Sequence, residues 1–269
     1  MTRRSGSSGW TRADVLVLIG KAMLLYADGY DEALPRAGGA TTVWGEPVVW
    51  NALNRQTAYS VSVDGEGGRA TISSCFYLLV KYLQMPPRMF VCPADERTRQ
   101  FKLANEANVP TGFELADAWD FGARPRDKCS YAYHIPFGEH GLTTSRDPNL
   151  AVAADRSPWF ISPAASARRF SDFMPDIPPY TGTAETARNG NAVSHLGDGQ
   201  NVLFLDGRVT FERRPFCGLD DDNIYTKSRH VTTGDALGSA PPYSMMLQPT
   251  NDRDSLLVHD PDFYPSRAR

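Results

Sequence analysis

The chain has 269 residues, with 28 Lys and Arg against 31 Asp and Glu, a formal charge of −3, and 41% hydrophobic and 22% charged residues. This is the composition of a folded protein rather than a disordered tail. Its balanced charge lacks the basic footprint of generic nucleic-acid binding, and no window reaches the roughly 20 apolar residues that a spanning helix requires. The 22 Gly and 20 Pro, beside 5 Trp, 11 Tyr and 13 Phe, point to many turns and irregular loops held down by aromatic anchors.

Residues 1–9, Met-Thr-Arg-Arg-Ser-Gly-Ser-Ser-Gly, read as a basic leader or a flexible linker ahead of the most apolar segment, Val15 to Ala27. There Leu16, Ile19, Met23, Tyr26 and Tyr30 recur at steps of three and four, flanked by Val15, Leu18, Ala22 and Leu25. Asp14, Lys21 and Asp28 fall on the other face. The spacing predicts an amphipathic helix over 10–30 that needs a partner surface, closed by Asp28-Gly29 and Pro35. The start resembles a type IV prepilin signal, with Gly9 before the cut, Trp10 as the new N-terminus and Asp14 as the fifth-position carboxylate, although that family usually carries Glu there and a longer apolar helix.

From 34 to 68 the sequence is turn-rich, with short strand-like pieces at Val43-Trp44, 48–50 and 59–63. A second helix is expected over Ala70 to Met85, its apolar face formed by Ile72, Cys75, Phe76, Leu79, Tyr82 and Leu83 and its end set by Pro86-Pro87. Met89 to Pro93 reads as a short buried strand, and 129–134 and 150–154 alternate like strands. The stretch 161–188 is Pro-rich and irregular. The polar tail 228–269 reads as a surface wrap or a disordered end.

The strongest local signal is Asp206-Gly207 between Val202-Leu-Phe-Leu205 and Arg208-Val-Thr-Phe211, which predicts a tight hairpin with a type I′ turn. His195, Gly199-Gln-Asn201, Asp206-Gly207, Pro215-Phe216, Gly218 and Asp222-Asn-Ile-Tyr225 together resemble the C-terminal motif of a large bacterial family of prepilin-like proteins, named for a His upstream of an Asp-Gly. Lys21 to Tyr30, Phe90-Val-Cys92-Pro93-Ala-Asp95 and Ser130-Tyr131 resemble other landmarks of that family. Arg208 departs from it, standing where a His is common.

The resemblance implies an α+β, major-pseudopilin-like fold: an N-terminal helix packed on a small antiparallel sheet with long loops, the head spanning 31–227. It also implies a non-catalytic subunit of an envelope-associated pilus-like or type II secretion-like assembly. Its partners would be other pilin-like subunits, itself or the secretion machinery. The location would be the cell envelope or outside it, or the cytoplasm if the leader is a remnant. An alternative is a soluble or secreted module that binds glycan or protein through exposed Trp44, Trp50 and Trp159.

Turn geometry alone accounts for Asp206, and His195 is suited to tying its loop to the sheet through a hydrogen bond. A metal-dependent enzyme would instead use His195 with Asp155 or Asp206. Asp220, Asp221, Asp222 and Asn223 form a candidate calcium loop, since carboxylates suit a hard cation, but as a consecutive run they suit a solvated turn better. His134, Glu139 and His140 match no zinc spacing. Cys75, Cys92, Cys129 and Cys217 allow three pairings, of which Cys92–Cys129 is the candidate disulfide if the chain is exported; reduced buried thiols are the other reading.

Overall fold

The computed structural model describes residues 12–261 apart from 47, 96 and 164. Helix α1 (Arg12–Asp28) opens the chain, followed by the two-residue strands β1 (Val43–Trp44) and β2 (Arg69–Ala70), which pair in parallel and enclose the short helix α2 (Arg55–Tyr59). Helix α3 (Ile72–Leu83) comes next. The remaining elements are β3 (Tyr131–His134), β4 (Ala151–Asp155), α4 (Ala184–Arg188), β5 (Gln200–Phe204), β6 (Val209–Glu212) and β7 (Leu257–Val258). Strands β3 to β7 form one antiparallel sheet in the order β6-β5-β4-β3-β7. The architecture is α+β.

Side chains alternate across the sheet because successive residues of a strand face opposite ways. Tyr131, Tyr133, Val152, Leu203 and Val258 join the core under α1 and α3, while Ala132, Ala154, Val202, Phe204 and Leu257 join a second core with Trp159, Phe173 and Tyr225. Both faces are therefore covered. Helix α1 packs against β5, β6 and α3, with Leu16, Ile19, Met23 and Tyr26 buried as their spacing predicts. Gly20 permits this approach: a Cβ there would lie 2.6 Å from Leu203 Cδ1. Tyr30 departs from the predicted face, stacking on Tyr26 at 4.0 Å while remaining 43% exposed.

Helix α3 is buried all round its first two turns, Ser73, Ser74 and Tyr77 included, whereas Tyr82 is half-exposed. Its N-terminal N–H groups are met by the Thr71 hydroxyl, which accepts from Ser74 N at 3.0 Å, and by the Asp260 carboxylate, which accepts from Ile72 N at 2.8 Å and Ser73 N at 2.7 Å. A carboxylate is favoured there by the unsatisfied donors and the helix dipole.

Several sequence expectations give way to packing. The stretch 89–93 is no strand: Pro87–Phe90 forms a 3₁₀ turn, as expected of a segment that begins with Pro. Residues 48–50 are outside the sheets, and the predicted strand at 59–63 begins inside α2. Within the described tail, Leu257–Val258 form β7 against β3 and residues 254–260 are buried, so this end is neither a surface wrap nor disordered. The hairpin joins β5 and β6 with Leu203 opposite Val209. Its turn is wider than predicted, since Gly207 N donates to Phe204 O and Phe204 N to Arg208 O, and in the 205–207 loop only Gly207 has a positive φ, +86°. That is a three-residue loop with glycine at the bulge, in place of the type I′ pair. No described helix is long and apolar enough to cross a membrane.

Placing a β-branched side chain at Gly20 wedges α1 away from β5. Gly20→Val is expected to cost about 1–3 kcal/mol in urea denaturation. An unchanged midpoint would mean that α1 does not rest on Leu203.

Candidate functional site

The landmarks scattered through the sequence converge at the end of β4. Continuing the Ala154–Val202 pair by one step sets Asp155 opposite Asn201. There Asn201 N donates to Asp155 Oδ2 at 2.8 Å, and Asn201 Nδ2 donates to the same oxygen at 3.1 Å. His195, in a 3₁₀ turn ahead of β5, brings Nε2 to 2.8 Å from Asp155 Oδ2. An ionised carboxylate only accepts, so this pairing places the imidazole hydrogen on Nε2. From the other side of the strand, Tyr225 Oη donates to the Asp155 main-chain carbonyl at 2.7 Å.

The approach loop is shaped for this contact. Gly199 lies where a Cβ would meet Glu212 O at 2.3 Å, so glycine alone lets β5 start against β6. Gln200 then takes up the surrounding backbone, accepting from Ala192 N at 3.1 Å and donating to Glu212 O and Arg214 O.

Arg156, the next residue after β4, extends the polar band to the opposite flank. Its Nη1 lies 3.1 Å from Asp95 Oδ2, and its Nη2 donates to the carbonyls of Arg126 and Cys129. Thr98 Oγ1 donates to Asp95 Oδ2 at 2.6 Å. Burial pulls the guanidinium below its ordinary range, against the attraction of Asp95. Burial likewise pushes the Cys129 thiol up to about 12 and the Tyr131 and Tyr225 hydroxyls well above their usual values, so all three stay protonated at neutral pH. Cys92 completes the group: one ligand atom each from Cys92, Asp155 and His195 lie within 4.8 Å of one another, the one set of three convergent metal-ligating side chains among the described residues.

Access decides the chemistry. Asp155 is 0% exposed, Cys92 1%, Asn201 6% and His195 9%. An external substrate cannot reach such groups without the loops opening, whereas a fold-holding role needs no access.

The other candidates are dispersed. Asp206 is exposed and its carboxylate accepts from Arg208 N at 3.0 Å and Arg208 Nη1 at 2.6 Å, while the carboxylate at His195 Nε2 is that of Asp155. Asp220 pairs with Arg253 at 2.5 Å, Asp222 accepts from the backbone N–H groups of Asp235 and Ser255, and Asn223 Oδ1 accepts from Tyr225 N. The carboxylates of Asp220 and Asp222 and the amide of Asn223 thus serve separate contacts, and Asp221 is exposed. His134 is buried between the carbonyls of Ile135 and Asp254, which leaves it with a pKa lowered to about 4 by burial, and His140 pairs with Asp252 at 2.7 Å. No disulfide joins the four cysteines, Cys92 and Cys129 included, and Cys129 Sγ contacts Tyr131 O at 3.9 Å. Asp14 is exposed on α1, while Gly9 and Trp10 lie outside the described residues. Sequence reasoning assigned no role to Arg156 or to Asp260. A buried Arg directly after an apolar strand was the available signal for the first.

A second feature lies on the surface. Between α1 and the end of α3 runs an open, apolar groove of about 440 Å³, lined by Leu18, Ala22, Leu25, Leu83, Met85 and Pro86, with Lys21 and Arg88 at its margin. Leu25 is 61% exposed.

No family model, curated protein or solved structure matches the chain.

If Asp155 is the hub of a structural lock, removing its imidazole partner strands a buried carboxylate. His195→Ala is expected to lower the unfolding free energy by about 3–5 kcal/mol, and by at least about 1 kcal/mol less in an Asp155→Ala background. Equal costs in both backgrounds, read by urea denaturation, would show the two side chains to be uncoupled.

Proposed function

We propose that the chain is a non-catalytic structural subunit of a pilus-like or type II secretion-like assembly of the cell envelope, built on a pseudopilin-like head. The observation that carries this reading is the apolar flank of α1. One face of the helix, through Leu16, Ile19 and Met23, is consumed by the sheet. The adjoining face, Leu18, Ala22 and Leu25, remains open beside Leu83 and Met85. At its end the half-exposed rings of Tyr30 and Tyr82 sit 5.8 Å apart.

A helix that is apolar beyond the width its own fold covers is suited to packing against a second apolar surface. In this assembly the partner is another pilin-like subunit or a second copy, with the loop-rich head supplying lateral contacts. The resemblance of residues 191–226 to the prepilin-like C-terminal motif supports the same reading. So does the enclosure of Asp155, His195 and Asn201, which gives the motif a role in holding the head together.

The alternative of a binding module working through exposed tryptophans loses its basis, because Trp44, Trp50 and Trp159 are all buried. Their rings pack on Phe160, on Phe101 and Phe113, and on Phe170 and Phe173 respectively.

The full chain is expected to self-associate with rising concentration in sedimentation velocity, and Leu25→Glu to abolish that association while leaving the thermal midpoint intact. A chain that stays monomeric at every concentration, with and without the substitution, would contradict the assembly role.

A further inference from the structure

We infer that Cys92, Asp155 and His195 form a buried structural site for a divalent transition-metal ion of the zinc class. This inference concerns the interior of the head and stands whether or not the chain assembles.

Three observations carry it. First, the donor atoms are the right kinds: a thiolate, an imidazole nitrogen and a carboxylate oxygen are the ligand types that zinc takes in tetrahedral sites, and here they converge within 4.8 Å from three separate segments. Second, the carboxylate is only half used. Asp155 Oδ2 accepts all three donors from His195 and Asn201, while Asp155 Oδ1, fully buried, makes no hydrogen bond among the described residues. A buried carboxylate oxygen without a partner is costly, and a cation is the partner it lacks.

Third, the charges balance. When the ion binds, the Cys92 thiol releases its proton to solvent and the neutral imidazole binds through Nε2, its hydrogen passing to Nδ1, so that the ion takes the place of the Nε2–H bond to Asp155 Oδ2. Thiolate and carboxylate then cancel the two positive charges, and the buried centre becomes neutral overall. Asn201, donating to the carboxylate from behind, is placed as the outer hydrogen bond that orients a ligating group. Protein ligands number three, so water or the neighbouring Tyr131 hydroxyl, itself without a hydrogen bond among the described residues, is available for the fourth position. Burial makes the ion a clasp between the turn after α3, β4 and the approach to β5, not a centre for external substrate.

The test uses the full chain unfolded and refolded with Co2+ as the probe, because the site is closed in the folded state. The expected result is one equivalent of bound Co2+, a thiolate-to-cobalt charge-transfer band in the near ultraviolet, tetrahedral d–d bands in the visible, and a raised thermal midpoint. Cys92→Ser should lose the charge-transfer band. If that variant does not fold, the single variants Cys75→Ser, Cys129→Ser and Cys217→Ser are read instead, and each that folds should keep the band. Folded wild-type chain with no bound cobalt, a band that survives in Cys92→Ser, or a band lost in folded Cys75→Ser, Cys129→Ser or Cys217→Ser would overturn the site.

Discussion

Burying the Asp155 carboxylate at the end of β4 would cost several kcal/mol if it stood alone, and the way that cost is offset organises the molecule. Each hydrogen bond to an ionised group contributes on the order of 1.5–3 kcal/mol, and Oδ2 takes three: one from His195 and two from Asn201. The donors come from the loop before β5 and from β5 itself, while Tyr225 holds the same residue by its main chain. Arg156, one residue on, draws in Asp95 and the carbonyls of Arg126 and Cys129. Two consecutive charged residues thus fasten four otherwise irregular stretches to one strand.

Such a fastening is what this chain requires. Its sheet has short strands, of two to five residues, and much of the second face is covered by loops between 156 and 240 instead of by helices. Loops bury less apolar surface per residue than a packed helix, and their backbone groups still need partners. Specific buried polar contacts take over part of the work that regular secondary structure does on the α1 and α3 side. Asp260 plays a comparable part on that side, joining the C-terminal segment to the first turn of α3 and to Trp44 Nε1 at 3.2 Å.

The sequence made some of this legible and hid the rest for physical reasons. The α1 face, α3 and the β5–β6 hairpin rest on local rules, helical period, proline stops and a glycine-bearing turn, so their residues announce them. The hairpin's turn type was misread because Asp-Gly serves both a two-residue I′ loop and a three-residue bulged loop, and the choice depends on strand register. β7 has two residues and exists through its pairing with β3, which periodicity cannot show. In the candidate site, His195 and Asn201 stood out through the motif. Asp155, 40 residues upstream of His195, was one of its two candidate partners in the sequence, but the choice of Asp155 over Asp206 and the approach of Cys92 from more than twice as far are properties of the tertiary fold. The tryptophans misled because loops rich in Gly and Pro read as exposed, while here the rings are the anchors that bury those loops.

The central claim is that the Asp155 hub opens only when the whole domain unfolds. Native-state hydrogen exchange at the Asn201 amide, which donates to the buried Asp155 carboxylate, tests it most directly. The account predicts exchange with the same free energy and the same denaturant dependence as the most protected amides of β4 and β5. Exchange of Asn201 through a low-energy, denaturant-independent opening, while those strands stay protected, would contradict it.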